Sequence, residues 1–184
     1  MREPLGELIE KTPRPTDAAS QALGEMPYGL YVIGSIGDGE PNGMMADWVM
    51  QVSFSPRLIA VAIENDARTL ANIKASQAFT VNLLAADEMT LAAKFAQPYY
   101  GSKIKGRAGA AATEIHHKLE EASYRLGTTG CPILSNTLAW LECTLETIVP
   151  VGGHTLVVGL VLDGAVVRDA EPLTTLVTGW PYSG

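Results

Sequence analysis

The feature that most constrains the fold is a pair of long strand-like segments separated by a glycine turn. The first segment extends from about 137 to 149, and an apolar strand returns from His154 to Asp163. Between them, Val151-Gly152-Gly153 has the composition of a hairpin turn, because glycine adopts backbone angles that other residues avoid. Strands joined by so short a turn pair antiparallel, so this hairpin predicts an antiparallel sheet.

The rest of the chain contains further strand-like runs and few helical ones. β-Branched, aromatic and continuous apolar runs predict strands at 28–35, 42–56, 57–63 and 78–84, with short strands near 123–126 and 173–177. Candidate helices and their caps are 17–24 behind Thr16 or Asp17, 67–76 behind Asp66, and 88–97 behind Asp87. About seven strands and only two good helices predict a mainly β chain, folded as an antiparallel barrel with flanking helices.

Length and composition indicate one domain. We expect residues 16–184 to form it, preceded by a proline-containing arm at 1–15, and we expect 98–122 to be a mobile loop. The formal net charge of -7, with no basic cluster, argues against nucleic acid or an anionic membrane surface as the main partner. No apolar run approaches the ~20 residues of a membrane span. The first residues are too polar for a signal peptide, so we expect a soluble, cytoplasmic protein.

The chain offers no pattern that predicts a metal site. Cys131 and Cys143 have no metal-ligand spacing, and we expect both thiols to be buried in a protein of the reducing cytoplasm. His116 and His117 are adjacent but lack a third ligand at a suitable spacing.

The segment 42–56 carries more polar residues than a buried strand can use. Asn42, Asp47, Gln51 and Ser53 alternate with apolar residues there. A buried polar group without a partner costs free energy, and a bound ligand is one source of partners. The alternative is an ordinary strand with one polar face.

Several motifs, taken in order, resemble the flavin reductase-like family, whose domain is an FMN-binding split barrel of the flavoredoxin-like kind. The run Asn-Gly-Met-x-Ala-x-Trp-Val-Met-Gln-Val-Ser-Phe-x-Pro stands at 42–56, and Ser-x-x-Phe-x-Val-Asn stands at 76–82. Later matches are Gly-Cys-Pro-Ile-Leu at 130–134, Leu-Ala-Trp-Leu-Glu-Cys at 138–143 and Gly-His-Thr-Leu-Val-Val-Gly at 153–159. The resemblance covers about 25–183. It implies an antiparallel Greek-key split β-barrel, a homodimer, and FMN at the barrel edge near the subunit interface.

The resemblance also implies which residues face the flavin. Residues expected to bind the cofactor along the first motif are Met45, Ala46, Asp47, Trp48, Val49, Gln51 and Ser53. Family members often carry Thr at the position of Met45, and Ser or Thr at those of Asp47 and Met50, so fewer hydroxyl donors are available here. Backbone amides therefore do much of the holding, and the Asp47 carboxylate either points away from phosphate or accepts from the flavin N3–H.

Five further residues are candidates outside that motif. Arg68 and Thr69 begin a helix, where unpaired N–H groups and the guanidinium favour a phosphate; the alternative is a solvated arginine beside a capping threonine. Lys103 is a second candidate phosphate clamp from the loop. Asn82 contacts either the ligand or the surrounding backbone. His154 is the catalytic candidate, since the resemblance places it near flavin and nicotinamide; the alternative is a histidine satisfied within its strand.

Three functions remain open at this point. The first is an FMN-dependent oxidoreductase in which NADH or NADPH reduces the flavin, which passes electrons to free flavin or to a partner. The second is an electron-transfer flavoprotein that a redox partner protein reduces. The third is a split-barrel binding module that has lost flavin. Hydride transfer needs no catalytic base, because the cofactor carries the chemistry.

Overall fold

The computed structural model describes residues 17–99, 113, 115–120 and 122–180. The arm at 1–15, the candidate Lys103 and most of the predicted loop lie outside the described residues. The helices are α1 Ala18–Gly24, α2 Arg68–Ser76, α3 Met89–Ala96 and α4 Thr175–Thr178. The strands are β1 Tyr31–Gly37, β2 Glu40–Ala46, β3 Val49–Ser53, β4 Leu58–Glu64, β5 Ala78–Leu83, β6 Tyr124–Leu126, β7 Pro132–Leu134, β8 Ala139–Val151 and β9 His154–Val166.

Seven of these strands form one antiparallel sheet. Its hydrogen-bonded order is β2-β1-β5-β8-β9-β4-β3, and β6 and β7 form a separate pair. The predicted long hairpin is confirmed: β8 and β9 each have 13 residues and meet at the Val151↔His154 pair. Gly152 adopts φ +60 in the turn, a conformation that glycine adopts without strain. The mainly β, antiparallel class with few helices is therefore confirmed.

The polar segment at 42–56 is two strands, and the prediction of a single strand is wrong. β2 pairs with β1 at one end of the sheet, whereas β3 pairs with β4 at the other end. Between them Asp47 and Trp48 leave the ladder, and the Trp48 carbonyl accepts a hydrogen bond from the Ala62 N–H at 3.0 Å. Residues 42–56 supply a strand at each end of the sheet. The order of polar and apolar residues along them therefore does not follow the alternation of a single strand.

The predicted helix caps are correct only at the first helix. Asp17 accepts from the Ser20 N–H at 2.9 Å, as expected. The N-caps of α2 and α3 are Ala67 and Glu88, one residue beyond the predicted aspartates, and neither makes a side-chain cap bond. Asp87 instead pairs with Arg168, whose guanidinium donates to both of its oxygens at 2.8 and 2.6 Å.

Two further differences concern the last third of the chain. The expected strand near 173–177 is the short helix α4, which Thr174 caps. The polypeptide pairs with the sheet margins there through the single bridges Gly29↔Thr174 and Ala85↔Pro172, and the buried Leu173 side chain packs with Leu30 and Leu84. β7 was not expected, because its three residues are too few to show a strand period.

Apolar side chains pack on both faces of the sheet. Neighbouring residues of β1 belong to different clusters, because alternate side chains of a strand point to opposite faces. Ile33 packs with Leu70 and Ile73 of α2, whereas Val32 packs with Phe95 of α3. Burying each such side chain contributes about 1.5–3 kcal/mol. The sheet is thus buried on both sides at β1, and the two helices pack on opposite faces.

Within the described ranges, no helix is long and apolar enough to cross a membrane. Cys131 and Cys143 are buried and unpaired with each other, as expected.

Candidate functional site

A cavity of about 380 Å³ lies where the link between β2 and β3 meets the start of α2, the end of α3 and the start of β9. Its walls come from elements distant in sequence. They bring together seven of the residues singled out above, namely Met45, Ala46, Asp47, Trp48, Arg68, Thr69 and His154. The cavity therefore unites the middle of the first motif with the helix start and with the glycine-flanked histidine.

The link between the strands presents two side chains to this cavity. Asp47 and Trp48 are half-buried and lie outside the ladder, held by the Trp48–Ala62 hydrogen bond and by a bond from the Val49 N–H to the Asp47 carbonyl at 2.9 Å. The Trp48 ring lies 5.0 Å from the His154 ring, at an interplanar angle of 45°. His154 is fixed by its pairing with Glu64 as the first residue of β9.

Asp47 is electrostatically constrained in this position. Burial raises the pKa of its carboxyl, while the N–H groups of Asp47 and Trp48 and the charge of His154 act in the opposite direction. The net direction is upward, because burial outweighs the other contributions.

The start of α2 supplies a cation and a hydroxyl. Arg68 is clamped between Glu40, whose carboxylate lies 3.3 Å away, and the ring of Tyr99, whose centroid lies 4.0 Å from the guanidinium carbon. Thr69 is buried, and its hydroxyl accepts from the Asn42 amide at 3.5 Å. Because Ala67 offers no side-chain cap, an anion at this helix start would not have to displace one.

Five candidates do not line this cavity or cannot be placed. Val49, Gln51 and Ser53 lie on β3, beyond the link, and the Gln51 side chain donates to the Ser53 carbonyl at 3.1 Å. Asn82 lies in the core, where it donates to the Val32 carbonyl at 3.0 Å and accepts from the Leu134 N–H at 2.8 Å. Those contacts are the structural alternative stated for it above. Lys103 lies outside the described residues.

Many lining residues were missed from sequence, and three of them bear directly on the chemistry of the site. Tyr99 follows α3, Trp180 follows α4, and Lys118 stands in the segment that looked irregular. The Lys118 ammonium donates to the Phe95 carbonyl at 3.1 Å, and burial lowers its pKa to about 8. No local period marks these three positions, so sequence spacing alone could not have found them.

The chemistry of the lining suits one kind of ligand. Methionine, alanine, phenylalanine and tryptophan side chains form apolar walls, and Arg68 and Lys118 supply positive charge. Carboxylates of Asp47, Glu64 and Asp66 also line the cavity and supply acceptors. A planar aromatic ring with a phosphate tail matches this combination. The fold is thus an antiparallel β sheet whose cavity suits an anionic aromatic ligand, and the donors present fit FMN.

Comparison with known proteins places the chain in a family of that kind. The model of the Flavin reductase like domain matches residues 23–178. The chain therefore belongs to the flavin reductase-like family, and the resemblance read from its motifs is confirmed.

Individual relatives cover most of the chain. It is 33% identical over 156 residues to a high molecular weight rubredoxin of Moorella thermoacetica, spanning 84% of this chain but 63% of that protein. It is 32% identical to a ferric-chelate reductase (NAD(P)H) of Archaeoglobus fulgidus, covering 84% and 85% of the two chains. The solved NADH:FAD oxidoreductase of Streptomyces globisporus C-1027 superposes with a TM-score of 0.71 at 25% identity, covering 90% and 93%.

Proposed function

We propose that this protein is an FMN-binding oxidoreductase that uses NADH or NADPH to reduce flavin. The observation that carries the proposal is the cavity that unites the first motif, the start of α2 and His154 in a member of this family. The names of the ferric-chelate reductase and of the NADH:FAD oxidoreductase support nicotinamide as the electron donor. FMN, when bound, supplies the hydride-accepting chemistry, and the protein supplies position and electrostatics.

The two ends of the cavity bind different parts of the flavin. Arg68 and Thr69 bind the phosphate, because a guanidinium and a helix start both favour an anion. Backbone groups at 45–49 hold the polar edge of the ring, and Trp48 packs beside it. Asp47 lines the cavity beside that edge and accepts a hydrogen bond from the ring N–H.

His154 positions the nicotinamide donor. Its ring contacts Trp48 and lines the same cavity, so it can present an N–H donor or an apolar edge to a second ring. Closing the site over two stacked rings would exclude water from the hydride path.

We also propose the finer architecture that the family implies. β2 and β3, at opposite ends of the hydrogen-bonded order, are joined by two residues, and Ala46 and Val49 pack in one cluster with Ile59. Both facts support closure of the sheet into a Greek-key split barrel. Exposed apolar side chains on the β3 edge support a homodimer. Two buried thiols support a reducing, cytoplasmic location.

One spectrum tests the function. Purified protein should be yellow, and its flavin absorbance should bleach anaerobically after NADH or NADPH is added. Bound flavin that neither donor bleaches would instead indicate an electron-transfer protein reduced by a redox partner. No flavin binding by calorimetry would indicate a module that has lost the cofactor.

A further inference from the structure

A buried lysine lines the cavity from the segment 98–122, where the sequence predicted a loop. Lys118 follows the histidine pair, and only 7% of its surface is exposed. Its ammonium donates to the carbonyl of Phe95, in the last turn of α3, at 3.1 Å. Lysine is almost never buried so deeply without a compensating partner, so its surroundings require an explanation.

The described contacts of Lys118 satisfy only part of the hydrogen-bonding capacity of its ammonium group. An ammonium carries three N–H donors, and the described contacts occupy one of them. Across residues 17–99, 115–120 and 122–180, no carboxylate lies within ion-pair distance of it. The charged groups that share the cavity with Lys118 are Asp47, Glu64, Asp66, Arg68 and His154.

A purely structural role makes a different prediction from a ligand-binding role. A lysine that donates to the last carbonyls of a helix stabilises that helix. If Lys118 acts only as such a cap, its charge stabilises the folded protein. Burying a charge against one neutral carbonyl is unfavourable, however, and this cost is recovered only when an anion arrives. The two roles therefore predict opposite signs for the stability change on removing the charge.

We propose that Lys118 binds a phosphate oxygen of the ligand in this cavity and is held ready for it in the ligand-free protein. The proposal deepens the function proposed above and rests on it. The phosphate belongs either to FMN or to the diphosphate of the nicotinamide donor, since both offer the same anionic oxygens.

The test uses Lys118→Met, which keeps the length and apolar bulk of the side chain. Dissociation constants of FMN and of riboflavin, which lacks the phosphate, are measured by calorimetry. We expect FMN to bind roughly tenfold more weakly while riboflavin changes little. If FMN is unaffected but NADH binds more weakly to the FMN-loaded protein, the phosphate is that of the donor. Equal losses for FMN and riboflavin, with NADH unchanged, would overturn the proposal.

Two controls separate this inference from misfolding. Lys118→Arg retains a cation and should keep the preference for FMN over riboflavin. Lys74→Met removes an exposed lysine at the end of α2, outside the cavity, and should change none of the constants. The ligand-free Lys118→Met protein should melt a few degrees higher than the wild type at pH 7, whereas a helix cap predicts a lower Tm.

A flavin-free arm separates failure of this inference from failure of the proposed function. Inorganic pyrophosphate should raise the Tm of the wild type more than that of Lys118→Met. A wild type that neither binds flavin nor bleaches would refute the function, yet this shift would still support Lys118 as a phosphate ligand. A wild type that bleaches with NADH while Lys118→Met behaves identically would refute the inference alone.

Discussion

Arg68 enters the cavity held by two other side chains, and this arrangement defines what a ligand must displace. Glu40 is 62% exposed and Tyr99 stacks on the guanidinium, so the arginine is oriented by weak contacts. Arg68→Ala should weaken FMN binding roughly tenfold and riboflavin binding far less. Calorimetry with both flavins measures the difference. Arg125→Ala is the matched control, because that arginine also stacks on a ring, Trp140 at 4.8 Å, but outside the cavity.

If Arg68 binds the phosphate as proposed, Glu40 competes with it for the same guanidinium. Glu40→Gln keeps the size of the side chain and removes its charge, so FMN should bind about twofold to fivefold more tightly. Riboflavin, titrated in parallel, should be indifferent to this change. An unchanged FMN constant would show that the Glu40–Arg68 pair persists beside the phosphate.

The raised pKa of Asp47 predicts a pH-dependent stability. Burial makes the ionised form unfavourable in the folded protein, so the cost is full at neutral pH and disappears as the pH falls through the folded pKa. Asp47→Asn should therefore stabilise the ligand-free protein at pH 7 by less than about 1 kcal/mol, because solvent screens this half-exposed group. Urea unfolding at pH 7 and pH 4 should show the advantage shrinking in acid. Asp169→Asn, at an exposed site, should show no such trend.

Lys118 predicts the opposite pH trend. Its pKa is about 8 in the folded protein, against 10.5 for the free side chain. Between these values the unfolded chain binds the proton and the folded protein does not, so stability from this group rises with pH from about 8 to 10.5. The free energy of unfolding of the wild type minus that of Lys118→Met measures the contribution of this group, which is on the order of 2–3 kcal/mol. A flat difference across this range would contradict it.

At the scale of elements, the start of α2 is left open toward the cavity. Ala67 occupies the N-cap with extended angles and no side-chain hydrogen bond, a position where serine gains typically about 1 kcal/mol over alanine. Ala67→Ser should raise the free energy of unfolding accordingly, measured in urea. Ala71→Ser, at an exposed position inside the same helix, should lower it slightly through helix propensity.

Helices and strands that depend on nearby residues could be predicted from the sequence, whereas features that depend on distant contacts could not. The β8–β9 hairpin and helices α2 and α3 follow from glycine turns and apolar spacing, and they lie within two or three residues of the predicted bounds. Asp87 looked like a cap, but Arg168, 81 residues away, takes its carboxylate. The break at Asp47–Trp48 is invisible in the sequence, since only the pairing of β2 with β1 and of β3 with β4 creates it.

At the scale of the whole molecule, only some of the cavity residues could be predicted from the sequence. Local motifs mark those residues, whereas the others reach the cavity through tertiary packing. Asp47, Arg68 and His154 belong to motifs or helix starts that a sequence displays. Lys118 and Trp180 reach the cavity only because α3 and α4 pack where they do, and tertiary placement leaves no local period. Asn82, which stands in a motif, is instead saturated by backbone groups of neighbouring strands.

Exposed apolar side chains on and just after β3 bear on how the whole molecule associates. Met50 and Val52 on β3 are 62% and 42% exposed, Phe54 directly after it is 87% exposed, and an exposed apolar patch favours association with another chain. We expect the wild type to sediment as a homodimer at micromolar concentration and Met50→Lys to shift it toward the monomer. Leu176→Lys is the control, because that residue is 75% exposed on α4. If the partner subunit completes the flavin site, the FMN affinity of Met50→Lys should fall together with its dimer fraction. A monomeric wild type that binds FMN tightly would contradict both the dimer and its contribution to the flavin site.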